Sequence, residues 1–166
     1  MISKMTQKNL IVYYSLTGNT QFIADSIKEA IDADVQVIKP IKDLNPNSGS
    51  RFLWGGMQAT MKKKPELEPL KYDPSDYDMI IIGSPVWAWT ISPPIRTFIS
   101  NYDLNEKDIA LWMCCAGDGS KAMNRFKEEL KNANIKGKII FQEPLNKNTD
   151  EEKSKAMKWA KSLTIE

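Results

Sequence analysis

Five short apolar runs rich in β-branched residues punctuate the chain, at Leu10–Tyr14, Val35–Ile38, Met79–Ile82, Ile109–Cys114 and Lys138–Phe141. Between them apolar residues recur at helical spacing, near Asn19–Ile31, Pro94–Tyr102, Ser120–Ala133 and Asp150–Leu163. In the first of these, Phe22, Ile23, Ile27 and Ile31 fall on one side. Strands that are nearly continuously apolar and alternate with helices predict an α/β fold with a parallel sheet covered on both faces. Five strands fit a doubly wound sheet in the order 2-1-3-4-5, within one domain spanning residues 1–166. Right-handed crossovers then bring every strand-to-helix turn to one edge. A ligand is expected there, where the strand order reverses beside strands 1 and 3.

Pro40 to Asp78 is longer than a minimal crossover requires. Within it, Arg51 to Lys63 can form a helix carrying Phe52, Trp54, Met57 and Met61. The simplest expectation is a crossover helix whose aromatics pack on the sheet. The alternative is that Trp54 and the methionines line a partner or substrate surface. Pro65, Pro69 and Pro74 keep the remainder extended.

Composition narrows the chemistry. Lys and Arg exceed Asp and Glu by only two, too near balance to argue for nucleic acid, and Lys62-Lys63-Lys64 reads as a solvated helix end. No stretch is apolar enough to span a bilayer, and Met1 to Lys8 lacks the apolar core of a signal peptide. The two cysteines, Cys114 and Cys115, are adjacent, so a cytoplasmic protein without a structural disulfide is expected. Histidine is absent altogether. That removes the commonest general base and metal ligand, and no metal site is expected. Chemistry here must come largely from something bound.

Three turns meet at the expected edge. In the first, the run Leu10–Tyr14 ends in Ser15-Leu16-Thr17-Gly18-Asn19-Thr20 immediately before a helix. Backbone N–H groups and a helix N-terminus converge on such a turn and make an anion site, although Ser, Thr, Gly and Asn there can equally serve only to turn and cap. The turn has no Lys or Arg, so a bound phosphate would rest on neutral donors. Gly-x-x-x-x-Gly-Lys-Ser/Thr and Gly-x-Gly-x-x-Gly are both excluded by the residues present. The second stretch, Gly83 to Pro94, contains Ser84, Pro85, Val86, Trp87, Ala88, Trp89 and Thr90, and a tryptophan face suits stacking on a planar ring. In the third, Cys115, Ala116, Gly117 and Asp118 let backbone approach a ligand closely, with Asp118 also a candidate cap for the next helix.

These three stretches together resemble the flavodoxin-like FMN-binding proteins over nearly the whole chain. Ser15-Leu16-Thr17-Gly18-Asn19-Thr20 is similar to that family's Ser/Thr-x-Thr-Gly-x-Thr phosphate loop, and Gly83-Ser84-Pro85-Val86-Trp87 and Cys115-Ala116-Gly117-Asp118-Gly119 to its two flavin loops. The resemblance implies FMN as cofactor, its phosphate on the first loop and its ring between the other two. Other uses of the fold fail. Tyr13-Tyr14 and Gly83-Ser84 stand where a response-regulator receiver needs acidic residues, and no Cys-x5-Arg follows strand 1 as a small phosphatase requires.

The resemblance implies electron transport through non-covalently bound FMN, with redox proteins or a small-molecule electron acceptor as partners. Two departures favour the alternative of an FMN-dependent NAD(P)H:quinone or small-acceptor oxidoreductase. The chain is slightly basic where carriers are strongly acidic, and Ala116 stands where related proteins often carry an aromatic. A third possibility is a non-catalytic module binding a protein through Trp54, Met57 and Trp87. No catalytic residue is identified, and Tyr13, Tyr14 and Asp118 are the nearest proton-donor candidates.

Overall fold

The computed structural model describes residues 6–164, apart from the side chains of Phe52 and Leu53. Most of Met1–Lys8, read above for a signal peptide, and the Phe52 side chain therefore lie outside the described residues.

Strands β1 (Asn9–Tyr13), β2 (Asp34–Val37), β3 (Met79–Trp87), β5 (Asp108–Cys115) and β6 (Asn134–Gln142) form a parallel sheet in the order β2-β1-β3-β5-β6. A two-residue strand, β4 (Thr90–Ile91), pairs antiparallel with the end of β3. Leaving that ribbon aside, this is the doubly wound 2-1-3-4-5 order. The register puts Ile11 beside Val35 on one side and Ile81 on the other.

Period-2 alternation within these buried strands divides the core in two. Leu10, Val12, Ile80, Ile82, Leu111 and Met113 face helices α3 (Pro93–Asn101) and α4 (Ser120–Glu129) through Phe98 and Phe126. Ile11, Ile81, Ala110 and Trp112 face α1 (Asn19–Ala30) and α5 (Thr149–Thr164) through Ile23, Ile27, Ala156 and Ala160. Burial on both faces explains why the strands show no polar alternation.

Two expectations are corrected. The apolar run predicts a third strand that ends at Ile82, yet β3 runs on to Trp87 and turns back through Ala88 and Trp89. Both turn residues have positive φ, 49° and 59°, as a two-residue hairpin loop demands. Glycine or asparagine normally marks such a turn, and their absence hid it. Helix α2 (Arg51–Thr60) does not lay Trp54 on the sheet, because Trp54, Met57 and Met61 are exposed. Its inner face is made by Gly55 and Ala59, and a Cβ on Gly55 would sit 3.2 Å from the Trp87 ring. On the α3 and α4 side, the core surface is instead covered by the extended segment that carries Leu67, Leu70 and Tyr72, held by Lys71 and Tyr72 N–H groups donating to Gln36 Oε1.

Gly83 marks the tightest approach inside the sheet. A Cβ there would lie 2.0 Å from the Trp112 ring, a separation no repacking of a buried indole can absorb. Gly83→Ala is expected to destabilise the fold by about 3 kcal/mol. Urea unfolding followed by circular dichroism measures it, with a clear drop in midpoint as the expected result.

Candidate functional site

The C-terminal ends of β1, β3 and β5 open into a cleft of about 400 Å³, the size range of small-molecule sites. From the first turn, Ser15, Leu16, Thr17, Asn19 and Thr20 line it. Pro85, Val86, Trp87 and Ala88 line it from the hairpin, and Cys115 and Ala116 from the loop after β5.

The first turn is organised by its backbone. Gly18 adopts φ 105°, and its N–H donates to Ser15 Oγ at 3.2 Å. A side chain at Gly18 would be strained there and would also meet Leu145 at 3.1 Å. Helix α1 starts with no side-chain cap and no acidic residue in its first turn. The hydroxyls and amide suspected of capping are placed otherwise. Asn19 Oδ1 accepts from Leu145 N–H at 3.0 Å, tying the turn to the segment after β6. Thr20 is buried against the Cys114 thiol. Thr17 is exposed, and its hydroxyl makes no hydrogen bond among the described residues. The helix N-terminus is thus left open toward the cleft, with its orphan N–H groups and partial positive charge.

Trp87 is fixed on three sides. Tyr14 meets its ring edge-on with centroids 5.6 Å apart, Gly55 lies against it, and the β3–β4 pairing holds its backbone. Tyr14 is itself buried, and its hydroxyl donates to Asp43 Oδ1 at 2.6 Å. Burial first, and then the Asp43 carboxylate, push the Tyr14 pKa far above the ordinary tyrosine value. Tyr13 is raised by burial and by Asp25, and it packs in the core with α1. Neither tyrosine lines the cleft.

Other residues expected at the site are placed away from the cavity. Ser84 is fully buried at the base of the hairpin, where its Oγ accepts from Ser92 N–H and donates to the Pro85 carbonyl, both at 2.9 Å. Thr90 is buried, and its hydroxyl accepts from Arg96 at 3.3 Å. Trp89 points out of the cleft into a neighbouring depression. Gly117 uses its carbonyl to accept from Gln142 Nε2. Asp118 Oδ1 accepts from Ser120 N–H and Oγ–H, which holds its carboxyl below the usual carboxylate range and ties the start of α4. Of the three proton-donor candidates, then, two are pinned in the fold and the third stays ionised.

The sequence reading missed Arg51, Gly55, Gly56, Cys114, Glu143 and Asn146, which also line the cleft. Arg51 begins α2 and donates to the Ser48 carbonyl at 2.9 Å, bringing a positive charge to a site expected to have none. Glu143 is paired with Lys147 at 2.8 Å. The one local signal was Gly55-Gly56, costly inside a helix and therefore a mark of close approach. Among the described residues no cluster of His, Cys, Asp and Glu could hold a metal ion.

The comparisons with known proteins agree with this geometry. A family model described as Flavodoxin matches residues 8–163. A flavoprotein from Lactobacillus acidophilus NCFM, crystallised in complex with FMN, is similar at 26% identity and a TM-score of 0.71, over 81% of this chain and 93% of that one. The NMR structure of its apo form gives 28% identity and a TM-score of 0.64, over 86% and 97%. Two-electron reduced Megasphaera elsdenii flavodoxin shares the fold at 20% identity and a TM-score of 0.55, over 92% and 98%. No curated protein matches the chain.

Both cysteines are free, and burial raises the pKa of each thiol above its ordinary value. A raised thiol pKa leaves little thiolate at neutral pH, and the thiolate is the nucleophile. Alkylation of the native protein by iodoacetamide is therefore expected to be slow at pH 7 and to accelerate at alkaline pH. Mass spectrometry of timed samples checks this, and rapid labelling of Cys115 at pH 7 is the contrary outcome.

Proposed function

The chain belongs to the flavodoxin family, and on that premise we propose that its cleft holds FMN non-covalently and that the protein is a redox protein transferring electrons through it. The observation that carries this reading is the uncapped start of α1, set at the end of β1 and faced across the cleft by Trp87. The structure of the similar Lactobacillus flavoprotein in complex with FMN supports the same cofactor.

The residues present suit such a ligand. The turn N–H groups, Ser15 and Thr17 supply neutral donors for a phosphate monoester, with Arg51 adding a charge on the same cleft. Pro85 to Ala88 and Cys115 to Ala116 form two walls, and Trp87, stiffened by Tyr14 and Gly55, gives one of them a flat apolar face. When bound, FMN supplies the electron chemistry that no side chain here provides. Tyr14 is pinned to Asp43 and Asp118 stays ionised, so neither is poised as a proton donor. Two free thiols suit a reducing, cytoplasmic setting.

One feature favours hydride transfer from NAD(P)H as a second reading. Ala116 is exposed, and Trp87 is the one aromatic among the described residues lining the cleft, so the Ala116 side leaves room for a small donor or acceptor. Anaerobic mixing of the FMN-loaded protein with NADPH separates the two readings. Bleaching of the flavin within the mixing time favours the reductase, and an unchanged spectrum favours the carrier.

Thr17→Ala tests the phosphate assignment without disturbing the fold, since this side chain is exposed and makes no hydrogen bond. Losing a hydrogen bond to a charged group costs about 1.5–3 kcal/mol, which is roughly a tenfold to hundredfold loss of affinity. Quenching of FMN fluorescence on titration with apoprotein measures it, and an unchanged dissociation constant contradicts the assignment.

A further inference from the structure

Large apolar side chains are rarely exposed together on a protein that works alone. Among the described residues, the exposed large hydrophobics concentrate around α2 and the hairpin tip. Ile41, Trp54, Met57 and Met61 line a groove of about 570 Å³ along the outer face of α2. Trp89, the most exposed of all at 65%, stands in a second depression of about 620 Å³ just beyond the C-terminal turn of the same helix. The two depressions meet along residues 57–62, which line one or the other.

The hairpin turn presents Trp89 at a cost. Ala88 and Trp89 both occupy the left-handed region, which side chains other than glycine or asparagine enter at a penalty of order 1 kcal/mol each. Arg125 Nη1 donates to the Trp89 carbonyl at 3.1 Å, and Lys121 lies 6.0 Å from its ring centroid. An indole held outward on a fixed, strained backbone is preorganised for contact rather than for burial.

The charge around these depressions is mostly positive. Lys42, Lys63 and Lys64 rim the first, and Lys62, Lys121 and Arg125 the second. Against these six cations stand Glu66, Glu128 and Glu129, and Glu129 is already paired with buried Arg96. The chain as a whole carries only +2, so its net positive excess lies on this face and the remainder is close to neutral. Aromatic residues and methionine with a charged rim are the composition of a protein-binding surface.

This face also borders the cleft. Ala88 lines both the cleft and the Trp89 depression, and α2 turns Gly55 and Gly56 to the cleft while Trp54 and Met57 face out. A partner seated here is separated from the cleft by about one helix width. We propose that this face is the docking surface for an acidic redox protein, with Trp89 and Trp54 as apolar anchors and the lysines as the complementary rim. The proposal rests on reading the cleft as the redox centre. Complementary charge steers encounter, and its contribution is screened by salt.

The indole N–H signals of the FMN-loaded, isotope-labelled protein report on this face directly. Adding an acidic two-iron ferredoxin is expected to shift the Trp54 and Trp89 signals and to leave that of buried Trp112 in place. The shifts should vanish on a tenfold increase in salt, and basic cytochrome c should not produce them. The exposed triple variant Lys63→Glu/Lys64→Glu/Lys121→Glu should lose the response while its FMN affinity stays within twofold of the original, since none of the three lines the cleft. Three outcomes overturn the proposal: no shift with ferredoxin, an equal shift with cytochrome c, or an undiminished response in the variant. Concentration-dependent shifts without any partner would assign the face to a second copy instead. An equal response to phosphatidylserine vesicles would assign it to a lipid surface. Failure to bind FMN at all would instead overturn the reading of the cleft.

Discussion

The first turn of every helix has backbone N–H groups that its own hydrogen-bond ladder cannot satisfy, and α1 leaves that requirement open. Its start is fixed by the end of β1, by Gly18 at φ 105°, whose N–H is taken by Ser15 Oγ, and by the Asn19 link to Leu145, while the helix's own first N–H groups receive no side-chain cap. Helix α4 also begins without a side-chain cap at Gly119, and there Asp118 accepts from Ser120 N–H and Oγ–H. What sets α1 apart is its place: its start lines the cleft at the end of β1, with Trp87 on the same cleft. Everything else at the cleft is arranged around that start: the β3 hairpin with Trp87 on one side, the loop carrying Ala116 on the other, and α2 closing over the top.

The sheet makes that arrangement possible. Parallel strands buried on both faces need right-handed crossovers, and these place all three turns at one edge. That part of the architecture was legible in the chain, because doubly buried strands appear as uninterrupted apolar runs and the helices between them keep their periodicity. The strand-helix turn proposed to seat the phosphate was legible as a turn for a similar reason: every residue in it is local to one junction. The structure keeps Ser15, Leu16, Thr17, Asn19 and Thr20 around one cavity.

What escaped the sequence depends on contacts between distant segments. Arg51 reaches the cleft only because Gly55 lets α2 lie against Trp87. Glu143 and Asn146 arrive through a segment tied across more than a hundred residues to Asn19. Ser84, which the motif places beside a ligand, spends its hydroxyl on Ser92 and Pro85 because β3 continues past it and must be clamped to β4. Trp89, grouped with Trp87 by proximity in sequence, is turned the opposite way by the hairpin. One inward and one outward indole, at the end of β3 and in the turn after it, link the cleft to the exposed basic face, and no local pattern announces it.

The account stands on the open helix start as a phosphate seat, and comparing FMN with riboflavin tests that most directly. The two ligands share the ring and ribityl chain and differ only in the phosphate. Isothermal titration of the apoprotein with each should give FMN binding at least a hundredfold tighter, with the advantage arising from the donors at the start of α1. Equal affinity for the two would show that the turn does not hold the phosphate and would contradict the account at its base.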